Sequence, residues 1–108
     1  MMNPVHANRM YVSKMLRKPR DLMRQLVFNQ STPATEDLKY MIYSAHDWTV
    51  SQLLMFFNST NGGNFTVIPF DATYIIELHA TTECTSMSCH WIEVRYDGVP
   101  QAFDGVCA

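Results

Sequence analysis

The sequence predicts a small α/β domain in which a helical region, a strand, a second helix and two further strands follow one another. Three observations predict this class. Apolar residues repeat at helical spacing in two segments, an apolar run lies between those segments, and two later segments resemble strands. With 108 residues, 47% of them hydrophobic, the chain has room for one domain with one modest core, spanning residues 1–108.

The first helical pattern covers residues 11–28. Its apolar residues are three, four and seven positions apart: Val12, Met15, Leu16, Leu22, Met23, Leu26 and Val27. Pro19 interrupts the pattern, and proline is best tolerated in the first turn of a helix. We therefore expect a break there, with a second helix over residues 20–28. A cluster of turn-forming residues at 29–33 then ends the helical region.

The central part of the chain predicts a strand followed by a helix. Residues 39–44 are mostly apolar, as is typical of a central strand covered on both faces. His46 and Asp47 come next, and residues 48–58 show a helical pattern with Asp47 as the expected N-cap. Two strands are then expected at residues 73–79 and 90–96, and the chain beyond Gly98 is expected to be irregular.

Composition excludes several classes of function. Eight basic and ten acidic residues give a net charge of −2, so a basic footprint for nucleic acid is absent and no nucleic-acid partner is expected. No apolar run approaches the roughly 20 residues that span a bilayer. Charged residues also interrupt every apolar stretch in the first 30 residues, which therefore lack the core of a signal peptide.

The cysteines and the N-glycosylation sequons indicate an oxidising compartment. Cys84 and Cys89 flank four residues between two predicted strands, so a disulfide across that hairpin is geometrically reasonable, and Cys107 is left over. A zinc site of these three cysteines with His90 is the weaker alternative, because the spacing lacks C-x-x-C pairs. We expect no metal site. The three sequons begin at positions that could carry glycans: Asn29, Asn58 and Asn64.

Reactive chemistry is expected at the junction before the second helix. His46 and Asp47 follow the predicted strand, and ligands bind at strand ends in open α/β sheets. The N-terminus of the following helix favours anions, phosphate included. A carboxyl group there donates a proton once a nearby anion favours its protonated form. A capping aspartate beside a histidine explains the same dipeptide without any chemistry.

The segment Tyr43-Ser44-Ala45-His46-Asp47-x-Thr49 resembles the C-terminal catalytic motif of the histidine acid phosphatases, a branch of the histidine phosphatase superfamily. Later parts of the sequence also resemble successive parts of that family: residues 68–73, residues 77–79, residues 94–98 and the Gly105-Val106-Cys107 ending. The resemblance covers residues 22–107. It implies that the chain is the C-terminal part of a histidine-phosphatase-like α/β core with an incomplete sheet.

The resemblance also implies an activity, which is hydrolysis of phosphate monoesters through a phosphohistidine intermediate, without a cofactor. His46 would contact the phosphoryl group and Asp47 would protonate the leaving alcohol. The family nucleophile lies in an Arg-His-Gly motif, and no histidine of this chain follows an arginine. We therefore expect a fragment that is inactive alone, from a secreted or lysosomal (endomembrane lumen) enzyme whose signal peptide lies in a missing N-terminal part.

Two further points stay open at the level of the sequence. Trp48 stands where many family members have a small polar residue, and it either narrows the leaving-group pocket or packs at the start of the helix. The alternative to a phosphatase segment is a non-catalytic remnant or interaction module of a truncated gene.

Glu77 and His79 share one face of a predicted strand, and a solvated or paired face explains them better than a role in the site.

Overall fold

The computed structural model describes residues 4–35, 37–63, 67–82 and 89–103, with side chains from residue 8 onward. Helix α1 spans Pro4–Val27 and helix α2 spans Asp47–Phe57. Strands β1 (Tyr74–Ala80), β2 (His90–Tyr96) and β3 (Val99–Pro100) follow in chain order. The expected mixed α/β class is therefore confirmed at this level, and α2, β1 and β2 lie within one residue of the predicted bounds.

The three strands form one antiparallel sheet in the order β1-β2-β3. Tyr74 pairs with Tyr96 at one end of the hairpin, and Ala80 pairs with His90 at the other. Asp97 and Gly98 join β2 to β3 with φ of 49° and 81°, the left-handed conformations of a two-residue type I′ turn. The expectation of irregular chain after Gly98 was therefore wrong for β3, which this turn folds back onto β2.

Helix α1 is continuous, so the expected break at Pro19 was wrong. A proline inside a helix removes one backbone hydrogen bond and crowds the carbonyl four residues earlier, at a cost of about 3 kcal/mol. The apolar positions keep the same helical spacing on both sides of Pro19, so a single helix presents one continuous apolar stripe. The helical periodicity of the whole segment therefore outweighs the local preference of proline for the first turn of a helix.

The expected strand at residues 39–44 was also wrong. These residues have no regular secondary structure, and their side chains are exposed, with Tyr40 at 72% and Ile42 at 75%. A strand needs a neighbouring strand for its backbone hydrogen bonds. The sheet of the described residues pairs only β1, β2 and β3, and all of its pairs are antiparallel. The apolar run therefore has no strand partner among these residues.

The core of the described residues is small. Its buried apolar residues are Val12 of α1, Leu54 of α2 and Val94 of β2, each at most 5% exposed. An aromatic row continues this core, because the ring of Phe57 stacks on Tyr74 at 6.0 Å between centroids. Neither α1 nor α2 is long and apolar enough to cross a bilayer.

Candidate active-site cleft

The His46-Asp47 junction is set by the start of α2. His46 is the N-cap residue, with extended backbone (φ −92°, ψ 162°), and its carbonyl accepts hydrogen bonds from the backbone N–H groups of Thr49 (2.9 Å) and Val50 (3.3 Å). The expectation that Asp47 is the N-cap was therefore wrong by one residue. Asp47 lies in the first turn, where its Oδ1 accepts the backbone N–H of Trp48 at 2.8 Å. A carboxylate here complements the positive end of the helix dipole.

Two contacts with α1 fix the position of this helix start. The rings of Tyr11 and Trp48 meet edge to face at 4.6 Å between centroids. Asn8 is 4% exposed, and its amide Nδ2 donates to the backbone carbonyl of Gln52 at 3.0 Å and also to the Gln52 side chain. Of the two expectations for Trp48, the structure favours packing at the helix start.

A cleft of about 360 Å³ opens beside the junction. Two segments about 20 residues apart in sequence line it: Ala45, His46, Asp47 and Val50 from the start of α2, and Ile68, Pro69, Phe70 and Ala72 from the following loop. The loop turns where the backbone N–H of Ala72 donates to the carbonyl of Pro69 at 3.3 Å. Trp48 is not among the lining residues. The cleft therefore combines one imidazole and one carboxyl group with six apolar residues.

The residues lining the cleft include no arginine or lysine. Among the described residues the arginines belong to α1 and β2. The imidazole of His46 is thus the one cationic or hydrogen-bonding side chain that the cleft offers an anion. The arrangement suits contact with a phosphoryl oxygen and proton transfer from Asp47, and it contains no histidine besides His46 to act as a nucleophile.

Glu77 and His79 do share one strand face, as expected, and they lie outside the cleft. His79 Nε2 is 3.1 Å from Glu77 Oε2 and 3.6 Å from Glu93 Oε2. Arg95 contacts the same two carboxylate oxygens. The hydrogen bond with His79, and then that with Arg95, lower the pKa of Glu77 against the opposing effect of desolvation.

Sequence reasoning missed the convergence of Glu93 and Arg95 on this pair. The signal that could have revealed it is the hairpin register. In an antiparallel pair, residues directly opposite each other point to the same face of the sheet. Glu77 is opposite Glu93, so the two side chains are direct neighbours. We call Glu77, His79, Trp91, Glu93 and Arg95 the sheet-face cluster.

Some of the remaining predicted positions lie within the described residues and others lie outside them. Asn29 and Asn58 are exposed just after the ends of α1 and α2, both with left-handed backbone (φ 54° and 48°). Asn64 lies outside the described residues. So do Cys84 and Cys107, and the Cys84–Cys89 disulfide stays a prediction.

Comparison of this chain with protein-family models, with curated proteins and with solved structures finds no match.

Proposed function

We propose that this chain carries the His-Asp half of an acid-phosphatase-type site, in which a phosphate monoester is hydrolysed through a phosphohistidine intermediate. His46 contacts the phosphoryl group and Asp47 protonates the leaving oxygen. A second polypeptide segment with the Arg-His-Gly motif supplies the nucleophile, so this chain does not turn over substrate alone. A secreted or lysosomal, glycosylated parent with the Cys84–Cys89 disulfide belongs to the same proposal.

One observation carries the proposal. Two segments that resemble the same family at separate places in the sequence line a single cleft. They are residues 45–47 of the Ser-Ala-His-Asp element, and Ile68, Pro69, Phe70 and Ala72 of the following loop. Phosphoryl transfer depends on positioning and on charge stabilisation at the oxygens. A helix N-terminus next to His46 provides partial positive charge at the mouth of the cleft. The negative charge of a bound phosphoryl group favours the protonated carboxyl of Asp47, which is the form that a proton donor requires.

The test is a titration of the ¹⁵N-labelled chain with inorganic phosphate, monitored by NMR in the presence of EDTA. We expect weak, saturable shifts of the His46 ring signals and of amides in residues 68–72. His46→Ala should abolish the saturable shifts, because it removes the imidazole that faces the anion. The matched control His79→Gln, on the sheet outside the cleft, should keep them. Absence of saturable shifts in the wild type, or their survival in His46→Ala, would reject the proposal.

The alternative, a non-catalytic interaction module, is favoured by a different observation. Four consecutive large apolar residues lie exposed before the cleft: Tyr40, Met41, Ile42 and Tyr43. Exposed apolar patches of this kind mark surfaces that bind other chains. The phosphate titration separates the two functions, because an interaction module has no reason to bind phosphate at His46.

A further inference from the structure

The sheet-face cluster lies on the side of the hairpin opposite Tyr74 and Val94, because successive strand residues point to opposite faces. Glu77 stands directly across from Glu93, and His79 directly across from Trp91. Glu77, His79 and Glu93 are all partly exposed, with 36–39% of each side chain accessible. One ligand atom from each residue lies within 4.8 Å of the other two.

We propose that Glu77, His79 and Glu93 bind a divalent first-row transition-metal ion, with zinc as the representative ion. Zinc in proteins bonds to imidazole nitrogen and carboxylate oxygen at about 2.0–2.2 Å, in tetrahedral geometry. These bond lengths separate neighbouring ligand atoms by about 3.4 Å. His79 Nε2 is already 3.1 Å from Glu77 Oε2 and 3.6 Å from Glu93 Oε2. The imidazole and the two carboxylates therefore need only small movements to surround one ion.

The charges of the cluster favour a cation. Two carboxylates that face each other directly across a strand pair repel one another. Arg95 offsets part of this repulsion, since its Nε lies 3.4 Å from Glu77 Oε2 and its Nη2 lies 3.2 Å from Glu93 Oε2. The guanidinium thus occupies the same oxygens that a metal would use. Metal binding and the Arg95 ion pairs are alternatives, and Arg95 weakens the affinity of the site.

The imidazole is held in place by a neighbouring ring. His79 stacks on Trp91 with 5.5 Å between centroids and 14° between ring planes. Stacking limits the rotation of the imidazole, so less orientational freedom is lost when Nε2 binds a metal. A nitrogen ligand and only two carboxylates suit zinc, cobalt or nickel, whereas calcium and magnesium require more oxygen ligands. The ion would keep at least one position for water, because the protein supplies three ligands.

Isothermal titration calorimetry with ZnCl₂ tests this site on the whole chain, after treatment with EDTA and alkylation of free thiols. Alkylation prevents those thiols from binding zinc. We expect one ion per chain. His79→Gln and Glu93→Gln should each weaken binding at least tenfold, as is typical when a ligand is lost. Asp21→Asn is the matched control, because Asp21 is also a surface carboxylate paired with an arginine, at 3.0 Å from Arg20. It should leave zinc affinity unchanged.

Arg95→Gln provides the decisive variant, because we expect it to tighten zinc binding severalfold by freeing both carboxylates. Thermal melts in EDTA verify that each variant, Arg95→Gln included, remains folded. Co²⁺ should give the visible absorption of a nitrogen- and oxygen-ligated ion. The proposal is overturned if His79→Gln binds zinc like the wild type, if Arg95→Gln does not bind more tightly, or if alkylation abolishes binding. The last result would instead favour cysteine ligands.

Discussion

At the scale of single residues, Asp47 has two possible roles that the structure brings close together. Its carboxylate accepts the backbone N–H of Trp48 at 2.8 Å, which stabilises the start of α2. The same side chain lines the cleft beside His46. The proposed proton donor is therefore also a helix-terminal hydrogen-bond acceptor, and the two roles must be separated by a substitution that preserves one of them.

Asp47→Asn makes this separation. An asparagine oxygen still accepts the Trp48 N–H, but the negative charge that faces a bound anion is gone. Repulsion between exposed unit charges a few ångströms apart is about 1 kcal/mol, so we expect phosphate affinity to rise about fivefold. The dissociation constant from the NMR titration at neutral pH measures this change. Unchanged affinity would indicate that Asp47 serves only the helix, while Asp47→Ala reports the cost of losing one hydrogen-bond acceptor, about 1 kcal/mol.

At the scale of elements, α2 and the hairpin are joined by aromatic rings. Tyr74 of β1 lies between Phe57 at the end of α2 and Tyr96 of β2, with centroids 6.0 Å and 6.4 Å away. Burial raises the pKa of the Tyr74 phenol well above its ordinary range. The neutral phenol is therefore the form that the folded state prefers, and the joint between helix and sheet should weaken when it ionises.

The sign of the resulting pH dependence follows from the raised pKa. The contribution of Tyr74 to stability is fully present below its unfolded pKa of about 10 and is lost as pH rises toward the folded pKa. Tyr74→Phe keeps the ring and removes the ionisable hydroxyl. We expect the variant to lose less unfolding free energy than the wild type between about pH 8 and pH 11, measured by urea denaturation. Tyr40→Phe, at a side chain that is 72% exposed, is the control. Parallel losses in wild type and Tyr74→Phe would contradict the prediction.

The same elements show how far local sequence signals reach. Helix α2 and strands β1 and β2 have local signals, since their periodicity and flanking turn residues lie within a few positions. The continuity of α1 across Pro19 depends on the packing of a whole apolar stripe, and residues 39–44 depend on a strand partner. Both are tertiary conditions. A local signal also exists for β3, because Asp97-Gly98 is a typical two-residue hairpin turn. The expectation of irregular chain after Gly98 did not take this turn into account.

In the candidate sites too, local sequence signals identify some residues, and only tertiary contacts bring in the others. His46 and Asp47 are adjacent in sequence, so a motif could identify them. The approach of residues 68–72 to the cleft depends on the path of the loop after α2, which no periodicity describes. In the sheet-face cluster, Glu77 and His79 are visible as alternate residues of one strand. Glu93 and Arg95 join them only through the hairpin register.

At the scale of the whole molecule, the chain is open for its size. Its accessible surface is 8425 Å², compared with roughly 6,100 Å² for a folded monomer of 12.4 kDa. Its radius of gyration is 15.2 Å, against about 13 Å for a compact domain of this length. The excess surface includes the apolar side chains of residues 40–43. Stability should therefore depend on few buried residues, and much apolar surface should be available to solvent or to another chain.

A pair of variants tests this distribution of stability. Tyr40 and Ile42 are 72% and 75% exposed, so the double variant Tyr40→Ser/Ile42→Ser should leave the unfolding free energy of the isolated chain within about 0.5 kcal/mol of the wild type. It should also reduce the fluorescence of the apolar dye ANS bound to the native chain. Leu54 is 5% exposed, and Leu54→Ala should destabilise by about 2–5 kcal/mol, enough to unfold a marginal domain. Urea denaturation and ANS fluorescence give both readouts. A large loss of stability in the double variant would mean that residues 40–43 are packed within the chain in solution, because only buried side chains cause losses of that size when shortened.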